Sequence, residues 1–413
     1  MTISQTKIIR IPRHIITPLR LFFNDSRSTG LLLVICTIFS LAVSNSNIGP
    51  WYIGLFTRKL SSGADDLLPG SLTGWINNFG MSFFFLLAAT EIKRELINGE
   101  LGTYRKAILP IGAAFGGMVA PALIFMVCCF HTNYAHGWGI PAATDIAFSL
   151  AAASLLGKRF PVELKILLMA LAIIDDLGAI VIVAVFYGGQ IHWLFLGISA
   201  LISVFLFLCT YFKIKFGAIQ VLLGFCLWFA LLQSGIEASI SGVIFAFLLP
   251  AQASEYLESG IHRFVHYGIL PLFAIANTAL RFPANPLDSL YSAPALGIMA
   301  GLVIGKPLGI FLASRILVAL KIAQLPGRIT WRQFIGMGNL AGIGFTMSIF
   351  TTMLAFPDPE ARNISKFAIL MAALISLLFG LFYYRALPGA KSNKALGGSG
   401  TVIPHNTLHL TRG

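Results

Sequence analysis

Four ionisable residues sit where the surrounding sequence is otherwise apolar: Asp145, Asp175, Asp176 and Lys306. Burying a charge in hydrocarbon is costly, so ionisable groups inside membrane-length apolar runs mark ion or proton paths. The competing explanation is a closed set of buried ion pairs, but three carboxylates and one lysine do not pair off. Asp175 and Asp176 are adjacent in Leu171-Ala-Ile-Ile-Asp-Asp-Leu-Gly-Ala179. Helical neighbours point about 100° apart, so one carboxylate can face a cavity while the other faces a second helix. Two like charges this close resist being ionised together, which suits a site that gives up protons when a cation arrives. Oxygen ligands favour hard cations such as Na+ or Li+ over transition metals. None of the eight histidines is near these acids in sequence, and no bound cofactor or catalytic metal is expected.

Asp145 lies in Pro141-Ala-Ala-Thr-Asp-Ile-Ala-Phe148. Proline lacks an amide proton, and the Thr144 and Asp145 side chains compete with helical hydrogen bonding. The pattern predicts a locally unwound span. Its counterpart is Gly336-Met-Gly-Asn-Leu-Ala-Gly-Ile-Gly-Phe-Thr-Met-Ser348, where four glycines in nine residues oppose an uninterrupted helix. Close helix packing is another use for Gly338 and Gly342, whereas Thr346 and Ser348 favour a polar, cavity-lining segment. Interrupted segments in corresponding halves point to a transporter with inverted repeats.

The elements that must position these residues are membrane helices. The chain has 413 residues, 57% of them hydrophobic and only 11% charged, against about 25% charged in soluble domains. Its mean hydropathy is +0.83. One crossing takes about 20 apolar helical residues. Twelve stretches qualify, near 30-47, 79-92, 108-130, 141-157, 162-187, 193-211, 217-233, 237-250, 265-280, 294-314, 333-355 and 366-385. With both termini inside, cytoplasmic segments hold 23 of the 29 Lys and Arg residues and the opposite segments five, a strong positive-inside bias. That bias accounts for the net charge of +13 without nucleic acid.

The rest of the chain is simpler. Residues 1-29 form a basic segment that suits either an anionic cytoplasmic leaflet or a loose tail, and they show no cleavable leader pattern. The membrane domain spans 30-387, and the Gly- and Ser-rich tail 388-413 is expected to be disordered. Residues 48-74 make the longest outer loop, with turn chemistry at Gly63-Ala64-Asp65-Asp66 and Pro69-Gly70 that admits a β-hairpin. The five cysteines lie in apolar segments without metal-ligand spacing.

Pro141 to Phe148, Leu168-Met-Ala-Leu-Ala-Ile-Ile-Asp-Asp-Leu-Gly-Ala179, Gly305-Lys-Pro-Leu-Gly309 and Gly342-Ile-Gly-Phe-Thr-Met-Ser-Ile-Phe350 together resemble the NhaA family of bacterial sodium/proton antiporters, over about residues 20-387. This family is itself a reference case for inverted-repeat transporters. The resemblance implies an all-α polytopic protein of twelve transmembrane helices in the bacterial inner membrane. Spans 3-5 and 10-12 would form the inverted repeat, and the discontinuous spans 4 and 11 would cross near the midplane.

Asp175 and Asp176 would bind Na+, Li+ or protons at the base of a cytoplasmic funnel, with Thr144 beside them. Asp145 and Lys306 would offset half-helix dipoles, and Gly342, Gly344 and Thr346 would belong to the broken span 11. Electrogenic exchange of cytoplasmic Na+ for external protons would serve sodium and pH homeostasis. Glu91, Arg94 and Glu95, with Glu258 and His262, would contribute the pH response, although an ordinary charged helix end also explains the first three. Two positions depart from the family pattern: Ser259 and Glu237 stand where histidines are common, which bears on the pH profile. A homodimer is implied, with membrane lipids as surroundings.

Two other functions meet difficulties. An intramembrane aspartyl protease needs its two aspartates on different helices facing one water, whereas this pair is adjacent. A channel needs a continuous polar path, which a lone lysine and a titratable pair oppose.

Overall fold

The computed structural model describes residues 26-60, 67-99, 102, 104-283, 285-327 and 329-387. The expected tail at 388-413, most of the segment 1-29 and the turn at 63-66 lie outside these residues. The described chain is helical, and its one strand-like feature is an antiparallel bridge between Lys59 and Ser71. Leu60 N–H donates to the Gly70 carbonyl next to that bridge, at 2.8 Å.

The helices are α1 (Ser26–Ser44), α2 (Gly49–Thr57), α3 (Leu72–Ile97), α4 (Ala107–Cys128), α5 (Ile146–Leu155), α6 (Val162–Phe186), α7 (Trp193–Tyr211) and α8 (Ala218–Ser234). They continue as α9 (Ile240–Leu248), α10 (Ala251–Phe264), α11 (Leu270–Asn277), α12 (Ala293–Ala319), α13 (Trp331–Ala341), α14 (Phe345–Ala355) and α15 (Pro359–Ala386). Six of these (α3, α4, α6, α7, α12 and α15) are long and apolar enough to cross a membrane. Two bent pairs pass the same test together: α1 with α2, at 116°, and α13 with α14, at 46°. Large apolar side chains on α7, including Trp193, Leu194, Leu201 and Phe205, are exposed. Water would penalise that surface, whereas lipid tails are equally apolar.

Local chemistry sets the helix ends. Thr330 and Gln333 form a reciprocal capping box at the start of α13, and the Asp358 carboxylate accepts from Ala361 N–H at the start of α15. Lys93 Nζ donates to the carbonyls of Ala246, Phe247 and Leu249, tying α3 to the C-terminal end of α9. Asn77 and Asn277 exchange amide hydrogen bonds at 2.8 and 3.3 Å, which ties α3 to α11.

Several boundaries differ from the sequence expectation. Helix α3 begins at Leu72, not near 79, because Asn77 and Asn78 are absorbed into a π-helical turn, Ile76–Gly80. The expected outer loop begins with the helix α2. Two further π-helical turns occur: Val265–Ile269 joins α10 to α11, and Gly301–Gly305 lies within α12 just before Lys306.

Candidate functional site

Two helix breaks meet at the centre of the site. The first follows the 3-10 turn Ala135–Ala142 and ends where Asp145 caps α5, its carboxylate accepting from Phe148 N–H at 3.0 Å. The second, residues 342-344, separates α13 from α14. Asp145 N–H donates to the Ile343 carbonyl at 2.7 Å, and Thr346 N–H donates to Asp145 Oδ2 at 3.0 Å. One carboxylate therefore receives amides from the first turns of both α5 and α14, where helix dipoles are positive. Ser149 adds a hydrogen bond to the Leu340 carbonyl at 2.9 Å.

Glycine permits this approach. A Cβ on Gly344 would stand 2.7 Å from the Ala143 carbonyl oxygen, well inside van der Waals contact. At the crossing of α4 with α12, a Cβ on Gly309 would come within 2.1 Å of the Gly116 carbonyl oxygen. That backbone-to-backbone approach brings α12, and with it Lys306, onto the first break.

The two aspartates of α6 diverge as their helical spacing requires. Asp175 Oδ2 lies 2.8 Å from Lys306 Nζ and 2.6 Å from Thr144 Oγ1. Thr144 Oγ1 also lies 2.9 Å from the Ala341 carbonyl, so its single proton serves one acceptor at a time. Lys306 Nζ donates to the Ala142 carbonyl as well, at the C-terminal end of the 3-10 turn. Asp176 turns the other way, into a cavity of about 30 Å³ shared with Phe84, Glu91, Thr144, Asp145, His266 and Thr346. Both aspartates are buried, and each keeps an Oδ1 without a hydrogen-bond partner. The cavity has room for a water or two or a bare cation, and none for a peptide.

The residues expected to contribute the pH response also gather, at the last turns of α3. Arg94 pairs with Glu258 of α10 and stands 3.5 Å from Glu95, while Glu91 lines the cavity. His262 lies in a neighbouring pocket with Arg94, Glu255, Glu258, Ser259 and Arg263. Burial pushes the Glu258 carboxyl up from its ordinary value, against the pull of Arg94. Burial, with the charges of Arg263 and Arg94, pushes His262 down. Ser259, at one of the departures from the family pattern, donates to the Tyr256 carbonyl.

Of the two polar residues picked out after the glycines, Thr346 lines the cavity beside Asp176, and Ser348 Oγ is buried beside Gly344 with no hydrogen-bond partner. Sequence reasoning missed one participant. His266 reaches the cavity that Asp145 and Asp176 share, although it is far from both in sequence. Its one signal was the spacing to His262, which places the two rings on one helix face.

A family model described as Na+/H+ antiporter 1 matches residues 20–384. Among curated relatives, the Na(+)/H(+) antiporter NhaA 1 of Flavobacterium johnsoniae is 45% identical over 90% of this chain and 97% of its own. The Na(+)/H(+) antiporter NhaA of Flavobacterium psychrophilum is 44% identical over 87% of this chain and 94% of its own. That of Escherichia coli is 42% identical over 88% and 97%. A match across nearly the whole apolar chain, including both helix breaks and all four deep charges, makes this chain a member of the Na+/H+ antiporter 1 family, a membrane transporter and not an enzyme.

Proposed function

We propose that the chain exchanges cytoplasmic Na+, or Li+, for external protons at Asp175 and Asp176. The observation that carries this reading is the divergence of the pair. Asp175 is held by Lys306 and Thr144, while Asp176, whose Oδ1 has no hydrogen-bond partner, lines a narrow cavity. A hard cation entering there finds oxygens of Asp176 and Thr144, and takes up Asp175 only by drawing it away from Lys306. Protons and Na+ compete for the same oxygens, so coupling needs no separate gate for each ion. When Na+ draws Asp175 into coordination, Lys306 loses its anionic partner and must be stabilised by the Ala142 carbonyl or give up a proton. Release of more than one proton charge per cation makes the cycle electrogenic.

In this reading twelve helices cross the inner membrane with both termini cytoplasmic. The bent pair α13–α14 and the break before α5 are the discontinuous spans 11 and 4 of an inverted repeat, and Asp145 and Lys306 offset their facing dipoles. Supporting this are the reciprocal hydrogen bonds between the breaks and the excess of basic residues in alternate loops. The cluster of Glu91, Arg94, Glu95, Glu258 and His262 tunes the pH response at the cytoplasmic mouth. Lipids surround the bundle, and the outer segment 48-74 joins two copies in a homodimer. Sodium and pH homeostasis is the physiological role.

The test is Na+-driven proton movement in proteoliposomes. Asp176→Asn keeps the side-chain volume and removes the charge, so exchange should vanish while expression and insertion persist. Substantial exchange by a well-folded Asp176→Asn protein would refute the assignment.

A further inference from the structure

We propose that Glu91, His262 and His266 form a binding site for a transition-metal ion of the zinc class, which closes the mouth of the cavity and inhibits exchange. The inference rests on the transport route proposed above and adds a regulator to it.

One carboxylate oxygen of Glu91 and one ring nitrogen from each histidine all lie within 4.8 Å of one another. The histidine rings sit one helical turn apart, with centroids 4.2 Å from each other. Nδ1 of His266 is buried and makes no hydrogen bond. Glu91 and His266 line the cavity that reaches Asp176, whereas His262 is exposed and lines the neighbouring pocket. The trio therefore stands between the two spaces, reachable from outside through His262.

Two imidazoles and a carboxylate with an open fourth position are a zinc donor set. Na+ prefers oxygen donors alone, so the transported ion is not the natural occupant. Bonds of about 2.0–2.1 Å in a tetrahedron set ligand atoms roughly 3.3 Å apart. The trio needs to draw in by at most about 1.5 Å, within reach of side-chain rotation because His262 is exposed. Arg94 and Arg263 are the opposing charges nearby, and Arg94 is engaged with Glu258 and Glu95. Metal binding would fasten the end of α3 to the π-helical turn between α10 and α11. It would also place a double positive charge in the path of incoming Na+.

The test uses Zn2+ itself, with binding measured by titration calorimetry on the purified protein and inhibition measured on Na+-driven exchange in proteoliposomes. Inhibition is taken relative to each variant's own zinc-free rate. Zn2+ should bind wild type and slow exchange, and His262→Ala or His266→Ala should weaken both effects by at least about tenfold. His266→Gln, which keeps size and polarity, should behave like the alanine variant and guards against misfolding. Asp176→Asn should still bind Zn2+ although it cannot transport, so failure of the transport reading and failure of the metal site are seen separately. Equal Zn2+ affinity in wild type and both histidine variants would overturn the site. Binding that depends on the histidines without any inhibition would overturn the closure.

Discussion

Lys306 Nζ lies 2.8 Å from Asp175 Oδ2 with both side chains fully buried, and the same ammonium donates to the Ala142 carbonyl. One cation thus compensates a carboxylate and the carbonyl end of the 3-10 turn together. Removing it strands a buried charge, which typically costs about 3–5 kcal/mol. Lys306→Ala should therefore lower the melting temperature in detergent and abolish exchange. Lys306→Arg keeps the charge and should retain more of both. Equal stability of wild type and Lys306→Ala would rule out the pairing as a stabilising contact.

Gly344 is a steric requirement of the interlocked breaks. A methyl group there would meet the Ala143 carbonyl and Ser348 Oγ, both at 2.7 Å. Overpacking of this kind costs about 1–3 kcal/mol, and it would displace the Thr346 amide from Asp145. Gly344→Ala should lose stability and transport together. On α7, Gly197→Ala meets nothing within 4 Å, and alanine is the better helix former by about 0.8–1.0 kcal/mol. Thermal unfolding of the two variants should separate them clearly. Similar losses in both would remove the steric argument.

Arg94, at the end of α3, acts on two titrating groups of α10, Glu258 and His262. Burial is the main influence on each, raising Glu258 and lowering His262. Arg94 opposes protonation of both, since a cation favours the carboxylate and disfavours the imidazolium. Arg94→Gln should therefore let both groups bind protons at higher pH. At any given pH the variant then resembles wild type at a lower pH, and the activity profile should shift in the alkaline direction. Histidine ring resonances report the His262 part directly. An unchanged His262 midpoint in Arg94→Gln would show that the two are not coupled.

The parts of the fold legible in the sequence are those governed by composition and local chemistry. Asp145, Asp175, Asp176 and Lys306 stood out because lipid penalises them. The break before α5 was legible from Pro141 and Thr144, and the one before α14 from crowded glycines. What stayed hidden depends on rotation and contact. A π-helical turn adds a residue to a helix without altering its apolar character, so Gly301–Gly305 left no mark, although it precedes Lys306 directly. Asn77 and Asn78 fell just outside the expected span near 79-92, yet Asn77 is satisfied by Asn277, 200 residues away. His266 enters the cavity only because α10, the π-helical turn and α11 pack against α3.

Protons and Na+ should compete for the same oxygens. On the proposed function, Asp175 and Asp176 would titrate as a coupled pair whose apparent midpoints belong to the pair. Protonated, the pair lacks the anionic oxygens that a hard cation requires. As pH rises it deprotonates and cation affinity grows, until proton supply limits turnover. Exchange should be small in acid, and the apparent KM for Na+ should fall about tenfold per pH unit while one proton is displaced. A steeper fall would mean that both carboxylates release protons before the ion binds. Glu91, Glu258 and His262 can sharpen the profile, but competition should survive their replacement because it originates at the site itself. Proteoliposome exchange at several pH values, with Na+ varied at each, measures this directly. A constant apparent KM with only the maximal rate changing would exclude competition at Asp175 and Asp176 and require a separate pH gate.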